Sequence, residues 1–299
     1  MSWSIRPLTS TEVRRLLPAR DPAGHKGTFG HVLSVCGSVR YQGAAVLAAL
    51  GAVHMGAGLV TAAFPAAVYP AVAAKLTVTP LLPLAGNGEG TLCPAALPAL
   101  REALPGKTAL LLGCGLGRSG DTREVTAALL EECPCPMVLD ADALPDINDG
   151  PAHIDSLRRA AARIPLVLTP HPGEFARMTG LAPAEIAADR AGLARRFARE
   201  NGVVLVLKGA GTIIAAPDRD AVFRNETGND GLAKGGSGDL LAGMLAALLA
   251  QGMHPFAAAV CAVHLHGLAA DRAAARFSRR GMTALDCMDE LKRLLSEFE

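Results

Sequence analysis

The sequence predicts an α/β fold with a mainly parallel central sheet flanked by helices on both faces. Three observations predict it. Short strand-like apolar runs alternate with helical patterns nearly throughout the chain. Several of those runs, above all Val203 to Leu207 (VVLVL), are continuously apolar, as strands buried on both faces are. No Ser- or Pro-rich linker and no internal repeat divides the chain, so residues 1–299 read as one domain.

Composition narrows the function classes. Half of the 299 residues are hydrophobic, enough for a sizeable core. Aromatic residues make up only 4%, which argues against base-stacking platforms. A net charge of +1 without a basic run leaves no footprint for nucleic acid. The opening stretch, MSWSIRPLTSTEVRRLL, lacks the apolar core of a signal peptide. The most membrane-like stretch, Ala44 to Phe64, is interrupted by His54 and glycines, so it reads as a buried helix, a turn and a buried strand. The seven cysteines (Cys36, Cys93, Cys114, Cys133, Cys135, Cys261 and Cys287) are odd in number and contain no C-x-x-C pair. Reduced thiols in a cytoplasmic protein account for them better than disulfides or zinc.

In chain order, Thr9-Ser10-Thr11-Glu12 is a capping box opening a short helix to about Leu17. A polar loop, Arg20 to Gly30, carries His25 and Lys26, which either reach an anionic ligand or stay solvated. His31 to Cys36 is a strand. The small, apolar helix from Gly43 and the strand Leu59 to Phe64 follow. Ala66 to Ala74 reads as a helix, Leu81 to Cys93 as a Pro/Gly loop and Pro94 to Ala103 as a weak helix.

Thr108 to Leu112 is a strand that runs into Gly113-Cys114-Gly115-Leu116-Gly117-Arg118-Ser119-Gly120. Pro105-Gly106-Lys107-Thr108 ends like a Walker A motif, but the first glycine required falls on Arg101. Gly115 to Gly120 is a formal G-x-G-x-x-G between a strand and a helix, Asp121 to Glu131. A second strand, Met137 to Leu139, ends at Asp140. A Rossmann nicotinamide site and a glycine loop lining some other ligand crevice both fit this pattern. Asp140 and Asp142 sit at a strand's C-terminal end, where the pair is suited to holding Mg²⁺ through water; the plainer alternative is Asp142 as a helix cap.

After the strand Leu166 to Leu168, two prolines fix the turn Thr169-Pro170-His171-Pro172-Gly173-Glu174 and present His171 as a site candidate. Pro183 to Asn201 reads as one amphipathic helix ended by Gly202. The strand Val203 to Leu207 delivers Lys208-Gly209-Ala210-Gly211-Thr212, a lysine and small residues suited to a nucleotide phosphate. Ile213 to Ala216 and Ala221 to Arg224 form a hairpin. Pro255 to Arg276 and Thr283 to Phe298 are helices. His264 and His266, two apart, point to different helix faces and make a poor metal pair.

The stretch Asn225 to Leu240 organises the rest. Gly235-Gly236-Ser237-Gly238 precedes Asp239 and a ten-residue apolar run, Leu240 to Leu249. Glycines at a helix start let backbone N–H groups approach an anion, so the loop reads as a phosphate cradle. Asp239, in the first helical turn, is placed to take a proton from a substrate hydroxyl; the plainer alternative is a helix cap.

Taken together and in order, several segments resemble the NAD(P)H-hydrate dehydratase family, which has the ribokinase-like fold. They are His25 to Gly30 (HKGTFG), the Gly43 helix, Gly113 to Gly117 (GCGLG), Asp140 to Leu144 (DADAL), Leu168 to Glu174 (LTPHPGE), Leu207-Lys208, and Asn225 to Asp239. The resemblance implies a repair enzyme that dehydrates S-NAD(P)H-hydrate back to NAD(P)H. ADP is the phosphoryl donor in typical bacterial members and ATP in eukaryotic ones, with Mg²⁺. The small-residue composition here tilts toward ADP.

By the same resemblance Asp239 is the general base, and the amides of Gly236 to Gly238 stabilise developing charge. Ala44, Gly115, His171 and Asp239 bind substrate. Lys208, Gly209, Ala210, Gly211, Thr212 and Gly238 bind nucleotide. The resemblance also implies a homotetramer and a form without the epimerase domain of longer members, with a separate epimerase upstream; composition and charge argue against a nucleic-acid or membrane partner. Two other classes remain open on the sequence: a ribokinase-like vitamin or thiazole kinase, and a nucleotide-binding module without catalysis.

Overall fold

The structure is a computed structural model and describes residues 3–298. Its strands are β1 (Ser4–Pro7), β2 (His31–Val35), β3 (Leu59–Pro65), β4 (Leu81–Leu84), β5 (Ala109–Leu112), β6 (Met137–Leu139), β7 (Leu166–Leu168), β8 (Val204–Leu207), β9 (Ile213–Ala215) and β10 (Ala221–Arg224). Its α-helices are α1 (Ser10–Leu16), α2 (Gln42–His54), α3 (Tyr69–Ala73), α4 (Leu97–Ala103), α5 (Gly120–Glu132), α6 (Pro151–Ala161), α7 (Pro172–Thr179), α8 (Pro183–Ala188), α9 (Arg190–Asn201), α10 (Ser237–Ala250), α11 (Pro255–Gly281) and α12 (Ala284–Leu295).

The chain divides into two compact units. The Asp239 unit comprises Ala23–Leu144 and Gly238–Gly252. Its strands lie in the order β6-β5-β2-β3-β4, each pair parallel. All four residues of β5 are buried, as its unbroken apolar run requires. Helix α2 packs on β2 and β3. Glycines set how closely α10 lies on α2: a Cβ on Gly51 would stand 2.5 Å from the Leu240 carbonyl oxygen, and one on Gly243 2.1 Å from that of Ala48. Strand β4 corrects the expected loop from Leu81. It ends the sheet order, so Pro83, which lacks an N–H, costs no ladder bond on the open side.

The Lys208 unit comprises Met1–Pro22, Pro145–Ser237 and Met253–Glu299. Its strand order is β1-β10-β9-β8-β7. β7 runs parallel to β8 and β1 parallel to β10; the hairpin β9–β10 and the pair β8–β9 are antiparallel. Helix α9 packs on β8 and β9, and α11 on β7, β8 and β9, with α1 and α12 against α11. The capping box of α1 forms as the sequence spells it: Glu12 N–H donates to Thr9 Oγ1 at 3.3 Å and Thr9 N–H to Glu12 Oε2 at 3.1 Å.

Helices α6 and α7 of this unit have no counterpart among the expected elements, and two further elements differ from expectation. Strand β1 has no counterpart among the expected elements: it is four residues long and wholly exposed, so no buried face marks it in the pattern. The single helix expected over Pro183 to Asn201 is two helices. Asp189 leaves the helical region (φ −145°, ψ 61°) and its carboxylate caps the next helix at Gly192 N, 2.9 Å away. The apolar period continues across the break, so pattern alone does not show it. The sheet is wholly parallel in the Asp239 unit and mixed in the Lys208 unit, so most strand pairs are parallel and helices pack on the strands of both, the fold class the sequence predicts. No helix among the described residues is long and apolar enough to cross a membrane.

Candidate active site

In the Asp239 unit, Asp239 lies in the first turn of α10 and is half-buried. Cys114 leaves the end of β5 and Asp140 the end of β6, so both lie at strand C-termini, where open α/β sheets bind ligands. One ligating atom from each of Cys114, Asp140 and Asp239 lies within 4.8 Å of the others. The Cys114 thiol donates to Asp140 Oδ2 at 3.6 Å. A hydrogen bond with Cys36, burial and the neighbouring negative charges push that thiol well above its ordinary pKa. It is therefore a neutral donor, which leaves the two carboxylates as the groups of the cluster suited to a hard cation.

The glycine loop joins this cluster through its turns. Gly115 has φ +64°, and a Cβ there would fall 2.7 Å from Ala44 Cβ and 2.6 Å from Tyr41 Cβ. The structure thus brings together Ala44 and Gly115, two of the four expected substrate residues. Ser38 Oγ donates to the Gly115 carbonyl at 2.8 Å and holds the turn to the segment after β2. The two aspartates read as one pair diverge. Asp140 stands by Asp239, whereas Asp142 Oδ2 accepts from Gly117 N at 2.9 Å and fastens the loop. His25 turns onto its own backbone, Nδ1 accepting from Gly27 N at 3.0 Å and Thr28 N at 3.3 Å.

In the Lys208 unit, Lys208 follows β8, with Nζ 3.8 Å from Glu174 Oε2. Glu174 is buried and Oε2 also accepts from His171 N at 2.7 Å. His171 caps α7: Nδ1 accepts from Gly173 N at 3.0 Å and Glu174 N at 3.2 Å. Its proton is accordingly on Nε2, 3.2 Å from Glu174 Oε1. A chain of contacts therefore links His171 through Glu174 to Lys208, and Glu174, to which the sequence reading gave no role, is its centre. The turn Gly209-Ala210-Gly211-Thr212 uses positive φ at Gly209 (+134°) and Gly211 (+64°), and Thr212 Oγ1 donates to the Gly209 carbonyl at 3.0 Å.

Most of the segment before α10 is fastened to α11. Asn225 Oδ1 faces His264 Nδ1 at 3.2 Å, and Thr227 Oγ1 donates to the His264 carbonyl at 3.0 Å. Asp271 accepts from Gly228 N and from Asn229 Nδ2, both at 2.9 Å. Lys234 Nζ donates to the carbonyls of Arg280 and Met282, each at 2.6 Å, and so caps the C-terminal end of α11. Ser237 is buried, and its backbone is hydrogen-bonded to the ring of His266.

Burial, then the charge of Lys208, pushes His266 down to about 4, against the effect of the Ser237 bond. Its Nε2 has no hydrogen-bond partner among the described residues, which leaves Nδ1 as the donor to Ser237. Gly235 stays exposed with nothing near a would-be Cβ, and Gly236 takes φ +95°. On sequence alone His264 and His266 are only a poor metal pair, and Asp271 carries no site signal of its own. The available signal was three polar side chains, His264, His266 and Asp271, within a helix that is otherwise free of charged and polar side chains over Phe256 to Asp271.

Comparison with known proteins gives a consistent result. A family described as NAD(P)H-hydrate dehydratase matches residues 32–293. The chain is 43% identical over 297 residues to the bifunctional NAD(P)H-hydrate repair enzyme Nnr of Moorella thermoacetica, covering 99% of this chain and 55% of that protein. It is 40% identical over 271 residues to the ADP-dependent (S)-NAD(P)H-hydrate dehydratase of Neisseria meningitidis serogroup B, covering 90% of this chain and 86% of that one. The crystal structure of the ADP/ATP-dependent NAD(P)H-hydrate dehydratase of Bacillus subtilis, co-crystallised with ATP/Mg²⁺, superimposes with a TM-score of 0.83 at 34% identity, covering 98% of this chain and 99% of that one. The chain spans about half the length of the bifunctional relatives it matches.

Proposed function

The chain belongs to the NAD(P)H-hydrate dehydratase family, and we propose that it dehydrates S-NAD(P)H-hydrate to NAD(P)H at the expense of ADP, with ATP the less favoured donor. The observation that carries this reading is the half-buried Asp239 in the first turn of α10, directly after the glycine-rich loop and beside Asp140. A carboxylate so placed accepts the proton of the substrate's ring hydroxyl. The hydroxyl oxygen attacks the terminal phosphate of ADP, the phosphoanhydride bond breaks and AMP leaves. The ring carbon–oxygen bond then breaks with loss of phosphate, and a ring proton leaves to restore the double bond. Backbone N–H groups of Gly235, Gly236, Ser237 and Gly238 are the donors to the charge that grows on the transferring group.

Lys208, Gly209, Ala210, Gly211, Thr212 and Gly238 are proposed to hold the nucleotide, and Ala44, Gly115, His171 and Asp239 the hydrated dinucleotide. The contact of Ala44 with Gly115 supports grouping those two residues at the substrate. Mg²⁺ takes one or two carboxylates and keeps most of its waters. Asp140 and Asp239 fit it, whereas the neutral Cys114 thiol does not. Bound there, it supplies charge neutralisation for phosphate oxygens. Because only the S epimer is the direct substrate, full repair calls for an epimerase acting upstream. Residence in the cytoplasm belongs to the same proposal and is supported by seven cysteines that are all thiols. Homotetramer formation rests on the family resemblance, and light scattering tests it.

The test is turnover of freshly prepared S-NADH-hydrate with Mg²⁺ and ADP, ATP or no nucleotide, following reduced-nicotinamide absorbance and phosphate release. Nucleotide-dependent recovery with one phosphate per turnover is expected. No recovery with either nucleotide overturns the reading, and a stable phosphoester product would assign a small-molecule kinase instead.

A further inference from the structure

We propose that Arg190 is a positioning residue for nucleotide binding, shaping the Lys208–Thr212 turn by gathering its carbonyl oxygens. Arg190 Nη1 donates to the Ala210 carbonyl at 2.6 Å. Nη2 donates to the carbonyls of Leu207 at 3.1 Å and Lys208 at 3.0 Å. One guanidinium therefore binds three carbonyls from four consecutive residues. With those oxygens turned onto Arg190, the N–H groups of Gly209, Ala210 and Gly211 have no acceptor among the described residues. They remain as donors for a ligand, the arrangement of a backbone nest. Positive φ at Gly209 and Gly211 is what lets successive carbonyls converge this way.

The position of Arg190 is unfavourable on structural grounds alone. It is the first residue of α9, where the helix dipole disfavours a cation. It has no carboxylate partner among the described residues, and its Nε is buried without an acceptor. Burial pulls its pKa below the usual arginine range. The charge is tolerated because the three carbonyls replace water. Next to it lies a cavity of about 590 Å³ whose lining includes Arg190, Ala210, Gly211 and Arg224 together with the carboxylates Asp189, which caps α9, and Glu226, which pairs with Arg224. That volume is in the range of small-molecule sites. The ligand class is a nucleoside diphosphate or triphosphate, so this inference rests on the nucleotide use proposed above.

The experiment is titration calorimetry of ADP and of ATP on wild-type protein, Arg190→Gln, Arg190→Lys and Gly211→Ala, with steady-state kinetics on each. Arg190→Gln loses charge and fork together. Arg190→Lys keeps the charge but not the planar fork. Gly211→Ala strains the same turn with Arg190 in place. Each variant is expected to raise the nucleotide Kd and KM, Arg190→Gln by about tenfold or more, with Arg190→Lys between it and wild type. The KM of the hydrated dinucleotide stays within about twofold in all three, a split that general loosening of the fold would not give.

Unchanged nucleotide Kd in folded Arg190→Gln overturns the assignment, as does an equal rise in both KM values. Should Arg190→Gln not fold, Arg190→Lys and Gly211→Ala decide by the same criteria. Wild-type protein that binds neither nucleotide overturns the dehydratase reading itself, a result distinct from wild-type binding that Arg190→Gln retains.

Discussion

Replacing Gly243 by alanine would drive α10 away from α2. An alanine Cβ at this position would stand 2.1 Å from the Ala48 carbonyl oxygen and 3.0 Å from both the Ala48 carbonyl carbon and the Ala52 nitrogen. All three are backbone atoms and cannot swing aside as a side chain would. Reaching ordinary contact requires a shift on the order of 1 Å, and overpacking of this kind costs about 1–3 kcal/mol. Alanine's better helix propensity returns at most about 1 kcal/mol, so the steric cost wins.

The consequence for chemistry follows from spacing. Gly243 is four residues beyond Asp239, one helical turn along the same face, so a shift at Gly243 reaches the carboxylate. A displacement near 1 Å at a reacting group lowers turnover by roughly a hundredfold. Urea denaturation and nucleotide-dependent dehydration of S-NADH-hydrate read the two effects. Gly51→Ala, which meets the Leu240 carbonyl oxygen at 2.5 Å, should behave alike from the other helix. Gly120→Ala, with nothing within 4 Å of its Cβ, is the steric control and should be neutral or slightly stabilising. If Gly243→Ala keeps wild-type stability and wild-type turnover, glycine is not what fixes the approach of these helices, and the reasoning fails.

Asp239→Asn should lower turnover by roughly a thousandfold while ADP still binds, because the general base is lost but the glycine-rich loop remains; calorimetry beside the turnover assay separates the two. His266 should make stability fall on acidification. Its folded pKa, about 4, lies below the ordinary 6.5, so between those values the unfolded chain binds the proton and the folded chain does not. Stability from this group is complete above 6.5 and is lost toward 4, by about 2 kcal/mol between pH 7.5 and pH 5. Urea melts of wild-type protein and His266→Asn across that range should differ in slope, and equal slopes would contradict the burial argument. Asp271→Ala removes the acceptor of Gly228 N and Asn229 Nδ2 and should loosen the segment before α10, costing about 1–3 kcal/mol and lowering turnover; hydrogen exchange at Gly228 and Asn229 would report it directly.

Much of the fold and part of the site are legible in the chain itself. The apolar runs of β5 and β8, the capping box at Thr9 and Glu12, and the glycine-rich turn ahead of Asp239 are local, so period, propensity and turn chemistry decide them. Local signals also place Asp140 and Lys208 at strand ends, because a strand that stops at a polar residue marks its own C-terminus. What the sequence alone could not decide depends on which backbones come together. Strand β4 exists because β3 offers it a ladder, in spite of Pro83. The helix over Pro183 to Asn201 breaks because the Asp189 carboxylate finds Gly192 N, a choice its apolar period does not record. Asp142 parts from Asp140 because the Gly117 amide lies within its reach. The roles of Arg190, Glu174, His266 and Asp271 arise from contacts with segments 17 to 43 positions away in the chain. A side chain's type shows which bonds it can make, but only the tertiary structure brings it the partner.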